Sequence, residues 1–265
     1  MVRIPAVVPA LPRERTLERH LPPTAAFGWL RAGANDLRVR PALSLAYGLL
    51  VFLVSVVVVL GLFVLRWDYI LFPALAGFMV VGPIFAIGLY EKSRRIAAGE
   101  PVTPRQMIFV RPESGGQILF VGVLLCGLML LWMRSAVIIY ALFFGVRPFP
   151  GFDRIVGTLF VTPIGWWILI VGSLVGGVFA AFSFAISVFA IPMQLEERVD
   201  ALTAMGLSMA LVWNNLGVML TWALLVLVLT LAGLATGLVG LIVVFPLLGH
   251  GTWHAYRAMR PPTGE

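Results

Sequence analysis

The sequence has few charged residues, one cysteine and one lysine, and these shortages exclude several classes of protein. Asp, Glu, Lys and Arg make up 12% of the 265 residues, whereas hydrophobic residues make up 60% and the mean hydropathy is +1.00. Soluble domains carry about 25% charged residues. Cys126 is alone in an apolar run, so one chain forms neither a disulfide framework nor a thiolate metal site. We therefore expect an integral membrane protein.

Signatures of catalysis are also missing. The chain has no phosphate-binding glycine loop, no nucleophile elbow and no paired carboxylates within its apolar runs, whose centres lack Asp and Glu altogether. Ion-coupled transporters usually place such a group near the middle of the membrane. The net charge of +7 follows the membrane pattern described below, so it does not indicate nucleic-acid binding. We expect a protein that is not an enzyme.

Six apolar runs are long enough to cross about 30 Å of hydrocarbon, which needs about 20 helical residues. They predict an all-α, polytopic membrane bundle with three parts: an arm at 1–41, a six-helix domain at 42–257 and a tail at 258–265. The runs are roughly Leu43–Leu65, Ile70–Tyr90, a third from Gln117, Trp166–Ile191, Leu216–Leu234 and Gly237–Tyr256.

Arginine is concentrated on one side of these runs. Because cytoplasmic loops carry the excess of Lys and Arg, both termini are predicted to be cytoplasmic. The arm holds six prolines and seven arginines. Such a segment is disordered when free, and it can instead lie along a partner or bind anionic headgroups.

The third run is interrupted by Arg134. Seventeen residues, about 25 Å of helix, separate Gln117 from Arg134. The favoured interpretation places Arg134 at the outer interface, with 135–145 as an interfacial or tilted continuation. In the alternative, Arg134 is buried and faces a polar path, which would mark a functional position.

The fourth run carries small residues every four positions, which lets helix backbones approach closely. The two interpretations are packing inside the bundle, which is favoured, and contact with another subunit. Four aromatic residues at run ends are predicted to be interfacial anchors. The small residues are Gly172, Gly176 and Ala180, and next to them Ser173, Gly177 and Ala181; the anchors are Trp166, Trp167, Trp253 and Tyr256.

Charged and histidine side chains collect where the even-numbered runs end. The stretch "FPLLGHGTWHAYR" places His250 and His254 four residues apart, on one helix face. The favoured interpretation is a polar clasp that locks the helix ends together. In it, at least one histidine lies within hydrogen-bond reach of Glu91, Glu196, Glu197 or a neighbouring backbone group. A metal site or haem ligation by His250 and His254 are the alternatives. The predicted clasp comprises Glu91, Arg94, Arg95, Glu196, Glu197, Arg198, His250 and His254.

Four segments resemble the bacterial six-span membrane family called domain of unknown function 2189. They are "FGWLRAGANDLRVRPALSLAYG", "GPIFAIGLYEKSRRIAAGE", "SVFAIPMQLEERVDALTAMGLS" and "FPLLGHGTWHAYR". The resemblance brings no established activity, although some members are labelled as cytochrome c oxidase components. It implies a protein of the bacterial inner membrane.

These observations favour a non-catalytic accessory subunit that packs beside a larger respiratory or photosynthetic complex. Its expected partners are membrane lipids and other integral membrane subunits, with no nucleic acid. No cofactor is required by the sequence, and bound lipid is expected. The alternatives are a small-molecule or ion transporter or channel, and a metal- or haem-binding redox subunit of a cytochrome oxidase.

Overall fold

The computed structural model describes residues 17–145 and 149–260, apart from the side chains of 152 and 153, and all its regular elements are helices. This confirms the predicted all-α class. The helices are α1 Ala25–Arg38, α2 Pro41–Val64, α3 Leu71–Phe85, α4 Ile87–Ala97, α5 Pro104–Ile108, α6 Gly115–Phe144, α7 Phe152–Val161, α8 Pro163–Ser187, α9 Ala190–Glu196, α10 Ala201–Asn214, α11 Leu216–Ala235 and α12 Leu241–Met259.

Five segments within the described ranges are long and apolar enough to cross a membrane. They coincide with the first five predicted runs. The second segment joins a 3-10 turn to α3 and α4, and the fourth joins α8 to α9. The segments are Pro41–Val64, Asp68–Ala97, Gly115–Phe144, Pro163–Glu196 and Leu216–Ala235.

Two of these segments are broken, and a neighbouring hydroxyl group satisfies the backbone at each break. Where α3 gives way to α4, the Tyr47 hydroxyl donates to the carbonyl of Phe85 at 2.9 Å. Between α8 and α9, Ser208 Oγ donates to the carbonyl of Ala185 at 2.7 Å and accepts from the amide of Phe189 at 3.1 Å. Breaks are tolerated within a membrane when the freed backbone groups find such partners.

The sixth predicted run forms α12, but α12 is not one of the five candidate spans. It runs antiparallel to α2, with His250 beside Ser44 and Ile242 beside Gly48. This register places the start of α12 beside about residue 49 of α2, so α2 continues about 22 Å beyond it. The six-span count and the shared side of the termini therefore stay predictions.

The part of the N-terminal arm that the structure describes is packed. Helix α1 lies against α12, and Asn215 holds the residues before α1. Its Nδ2 donates to the carbonyl of Leu17, and its Oδ1 accepts from the amide of Arg19, both at 2.8 Å. The expectation of a free, disordered arm is wrong for residues 17–41, while 1–16 and the end of the tail, 261–265, lie outside the described residues.

Helix α6 continues without a break from Gly115 to Phe144, and Arg134 is exposed on its surface. The continuation after Arg134 is therefore part of the same helix. The exposed position favours the interfacial interpretation of Arg134 over a buried residue that faces a polar path.

Helices α1 and α12 touch through their backbones. A Cβ added at Gly33 would lie 2.6 Å from the amide nitrogen of Gly251 and 2.9 Å from the carbonyl oxygen of Leu247. Only glycine at this position permits so close an approach, because backbone atoms cannot move aside as side chains do.

Gly33→Ala should therefore lower the free energy of unfolding by about 1–3 kcal/mol, the usual range for overpacking. Gly28→Ala is the matched control, since a Cβ at Gly28 of the same helix meets nothing within 4 Å. It should be neutral or stabilising by up to ~1 kcal/mol. Thermal unfolding in detergent measures both variants, and equal midpoints for the two would contradict the close packing of α1 on α12.

Candidate functional site

A cluster of buried polar side chains joins four helices at one end of the bundle. At this end, here called the arginine-rich end, α2 begins and α4, α9 and α12 finish. Ser44, Lys92 and His250 are 0% exposed, Ser93 is 1% exposed and Asp36 is 7% exposed. We call these five residues the polar junction; they come from α1, α2, α4 and α12.

The members of the polar junction form one hydrogen-bonded chain. Lys92 Nζ donates to Ser44 Oγ at 2.6 Å, and the carbonyl of Arg40 lies 3.5 Å from the same nitrogen. Ser44 Oγ lies 2.8 Å from His250 Nε2, and His250 Nδ1 lies 2.8 Å from Ser93 Oγ. The Ser93 hydroxyl also interacts with the Asp36 carboxyl and acts to lower its pKa. The chain therefore leads from a buried ammonium to a carboxylate.

The donors along this chain all point the same way. An ammonium can only donate, so Ser44 Oγ accepts from Lys92 and its own proton is directed to His250 Nε2. A neutral imidazole then donates from Nδ1 to Ser93, whose proton is directed to Asp36. Because a second buried positive charge beside Lys92 would be costly, the neutral ring with its proton on Nδ1 is the form that fits.

Asp36 also binds the second histidine, with His254 Nε2 2.9 Å from Asp36 Oδ2. Burial acts to raise the pKa of Asp36, but the hydrogen bonds from His254 and Ser93 outweigh burial and hold the pKa below its usual value. Asp36 is thus ionised at neutral pH and supplies the negative charge that balances Lys92.

This arrangement is suited to holding helices together. A serine beside a lysine and a histidine has the composition of an activated nucleophile. The complete burial of Ser44, however, leaves no surface at which a substrate could meet its Oγ. Each link of the chain joins side chains from two different helices, so loss of one link separates elements that are distant in sequence.

The proposed metal or haem ligation by His250 and His254 finds no ligand set. Both ring nitrogens of His250 are already bonded to serines, and His254 Nε2 is bonded to Asp36. Within residues 17–145 and 149–260, no group of three or more His, Cys, Asp or Glu side chains is placed to hold a metal ion.

Residues 71–196, just under half of the chain, match the family described as "Predicted integral membrane protein (DUF2189)". This part of the chain is similar to the DUF2189 family. No curated protein and no solved structure matches the chain. The DUF2189 segment contains Lys92 and Ser93 of the polar junction, whereas Asp36, Ser44 and His250 lie outside it.

The predicted clasp separates into several contacts, and within residues 17–145 and 149–260 neither histidine binds a glutamate. Glu91 is buried and pairs within its own helix, with Arg94 at 2.8 Å and Arg95 at 2.6 Å. His250 and His254 instead face serines and Asp36. The prediction also allowed a neighbouring backbone group as the partner of a histidine, and the backbone of Leu89 interacts with His250.

The other two glutamates of the predicted clasp link the end of α9 to the end of α12. Glu196 pairs with Arg257 at 3.0 Å and with Arg260 at 3.1 Å. Glu197 accepts from the Tyr256 hydroxyl at 3.2 Å. The remaining member of the predicted clasp, Arg198, pairs with Glu113 at 3.1 Å on the surface.

The four predicted aromatic anchors fall into two groups. Trp166 and Trp167 are 54% and 60% exposed in the first turn of α8, as an interfacial position requires. Trp253 and Tyr256 are buried in the core at 1% and 0%, so their assignment as interfacial anchors is wrong. Helices α1, α4 and α9 all contact α12.

Loss of the Ser44 hydroxyl should be more damaging than loss of the Lys92 charge. Ser44→Ala leaves a buried ammonium with only a distant carbonyl, which should cost about 3 kcal/mol of unfolding free energy, whereas Lys92→Met should cost less than about 1.5 kcal/mol. Ser55→Ala is the control, since Ser55 bonds only the carbonyl of Val51 in the same helix.

Thermal unfolding of the purified variants measures this order. The double variant Ser44→Ala with Lys92→Met should be less destabilised than the sum of the two single variants, because the stranded charge is gone. Two results would contradict the proposed hydrogen-bonded chain. One is a double variant whose loss of stability equals the sum of the two single losses. The other is a Lys92→Met variant that is less stable than Ser44→Ala.

The depressed pKa of Asp36 predicts how stability depends on pH. A carboxyl whose pKa is lower in the folded state stabilises the fold above its unfolded value, near 3.8, and loses that contribution as the pH falls toward its folded value. Asp36→Asn should therefore flatten the fall in unfolding temperature between about pH 5 and pH 3. Parallel pH profiles for the native chain and the variant would count against an ionised, hydrogen-bonded Asp36.

Proposed function

We propose that this protein is a non-catalytic integral membrane subunit that packs against another integral membrane protein. The observation that carries the proposal is a face of small residues on α8 that no other part of the described chain covers. The members of this face, here called the small-residue face, are Ser173, Gly177 and Ala181, and all three are exposed.

The neighbouring set of small residues behaves differently. A Cβ added at Gly176 would lie 2.8 Å from the Trp132 ring of α6, so this side of α8 packs inside the bundle as the favoured interpretation expected. A Cβ added at Gly177 would meet nothing within 4 Å. Close packing against α6 thus explains why a small residue is needed at Gly176. No contact within the described chain explains the small residues of the small-residue face.

In a membrane, a helix face of small residues is suited to packing against another transmembrane helix. Between helices in lipid the hydrophobic effect contributes little, so association depends on close van der Waals contact, which small residues permit. The lack of a reachable nucleophile at the polar junction supports a structural role over a catalytic one. The labels of some family members make a respiratory or photosynthetic complex of the bacterial inner membrane the first host to examine.

Gly177→Leu should remove the partner while leaving the fold intact, because leucine at this position blocks helix contact but suits lipid. The measurement is purification of the tagged protein from native membranes in mild detergent, followed by quantification of co-purifying membrane subunits. We expect the yield of the partner to fall at least about tenfold, which corresponds to about 1.4 kcal/mol of contact energy.

Gly127→Leu is the matched control. Gly127 is exposed on α6, and a Cβ there also meets nothing within 4 Å. This variant should retain the partner. Migration of the native chain as a lone monomer, or equal retention of partners by both leucine variants, would overturn the proposal.

A further inference from the structure

An open groove of about 800 Å³ lies at the arginine-rich end, in the connection between the second and third membrane segments. Four arginines and one glutamate supply its charged lining, and the remainder includes two exposed apolar side chains. We call it the basic groove. Its lining includes Glu91, Arg94, Arg95, Arg105 and Arg111, together with Ile108 and Phe109.

The basic groove carries an excess of positive charge that the chain itself does not neutralise. Glu91 is shared by Arg94 and Arg95, and Arg95 also pairs with Glu100 at 2.9 Å. Arg105 and Arg111 are exposed, and neither forms an ion pair with an acidic side chain of the described residues. Two guanidinium groups are thus available to an external anion.

The walls of the groove are held in place by the core. Arg40 donates to the carbonyl of Val102 at 2.8 Å, and the Val102 side chain is buried. Met107 is buried as well, and its carbonyl lies so close to Gly88 of α4 that a Cβ there would be 2.3 Å away. A site held in this way binds with little loss of conformational entropy.

The two apolar side chains place the groove at a lipid surface. Ile108 and Phe109 are 63% and 71% exposed, and they lie between the end of one membrane segment at Ala97 and the start of the next at Gly115. A connection tied to two membrane segments stays at the boundary of the bilayer. Apolar side chains at this depth enter the region between headgroups and acyl chains, while arginines beside them meet phosphate oxygens.

We propose that the basic groove binds the phosphate group of an anionic phospholipid, with Arg105 and Arg111 as its main ligands. Arginine suits this role because its planar donors match phosphate oxygens in pairs. Ile108 and Phe109 then contact the acyl chains of the same lipid. This assignment does not depend on the proposed protein partner, since lipid meets the groove and the small-residue face lies within a membrane segment.

The test uses the full chain in mild detergent and counts bound lipid by native mass spectrometry. Phosphatidylglycerol and phosphatidylcholine are offered separately, and the native chain should prefer phosphatidylglycerol. Arg105→Gln with Arg111→Gln should weaken phosphatidylglycerol binding about 30-fold, at about 1 kcal/mol for each arginine. Arg31→Gln with Arg38→Gln is the control, since it removes the same charge from exposed positions on α1.

Further measurements distinguish a phospholipid from inorganic phosphate as the ligand. Ile108→Ser with Phe109→Ser should weaken lipid binding and leave any binding of inorganic phosphate unchanged. Inorganic phosphate at millimolar concentration should fail to displace the lipid. Tight binding of inorganic phosphate alone, equal retention of both lipids, or equal losses in the groove and control variants would overturn the lipid assignment.

Discussion

The buried charge of Lys92 is the constraint on which the arginine-rich end depends. An ammonium that is wholly removed from water must be matched by acceptors and by a negative charge, and no carboxylate among the described residues touches it directly. Asp36 supplies that negative charge from a distance, and Ser44, His250 and Ser93 connect it to Lys92. Four helices have to be in register before that chain is complete, so the position of one charge specifies how those helices meet.

Much of the membrane architecture follows from hydropathy, and its failures have physical causes. Five apolar runs become five membrane segments because length and composition decide that property locally. The sixth run stays a predicted span, because run length contains no information on register. The contacts at Gly48 and Ser44 place α12 beside only the first half of α2. Pairing between distant helices is a tertiary property that periodicity does not encode.

The candidate site was harder to foresee than the fold. Spacing placed His250 and His254 on one face, but it could not say which side chains lie opposite. The arginines and prolines around Asp36 predict a disordered arm, although Ala26, Trp29, Gly33 and Asp36 repeat at helical spacing and are the buried face of α1. The other sequence signal for the site is Lys92 itself, because it is the one lysine in a chain with eighteen arginines.

The contact of α1 with α12 also determines when the protein can finish folding. Helix α1 is synthesised before its main neighbour α12, and more than two hundred residues separate the two sides of this interface. Membrane segments can insert one by one during synthesis, yet Lys92 cannot reach its final surroundings until α12 has been made. Assembly of the arginine-rich end is thus a late step in folding. A chain interrupted before α12 would leave the polar side chains of this end exposed at the membrane boundary.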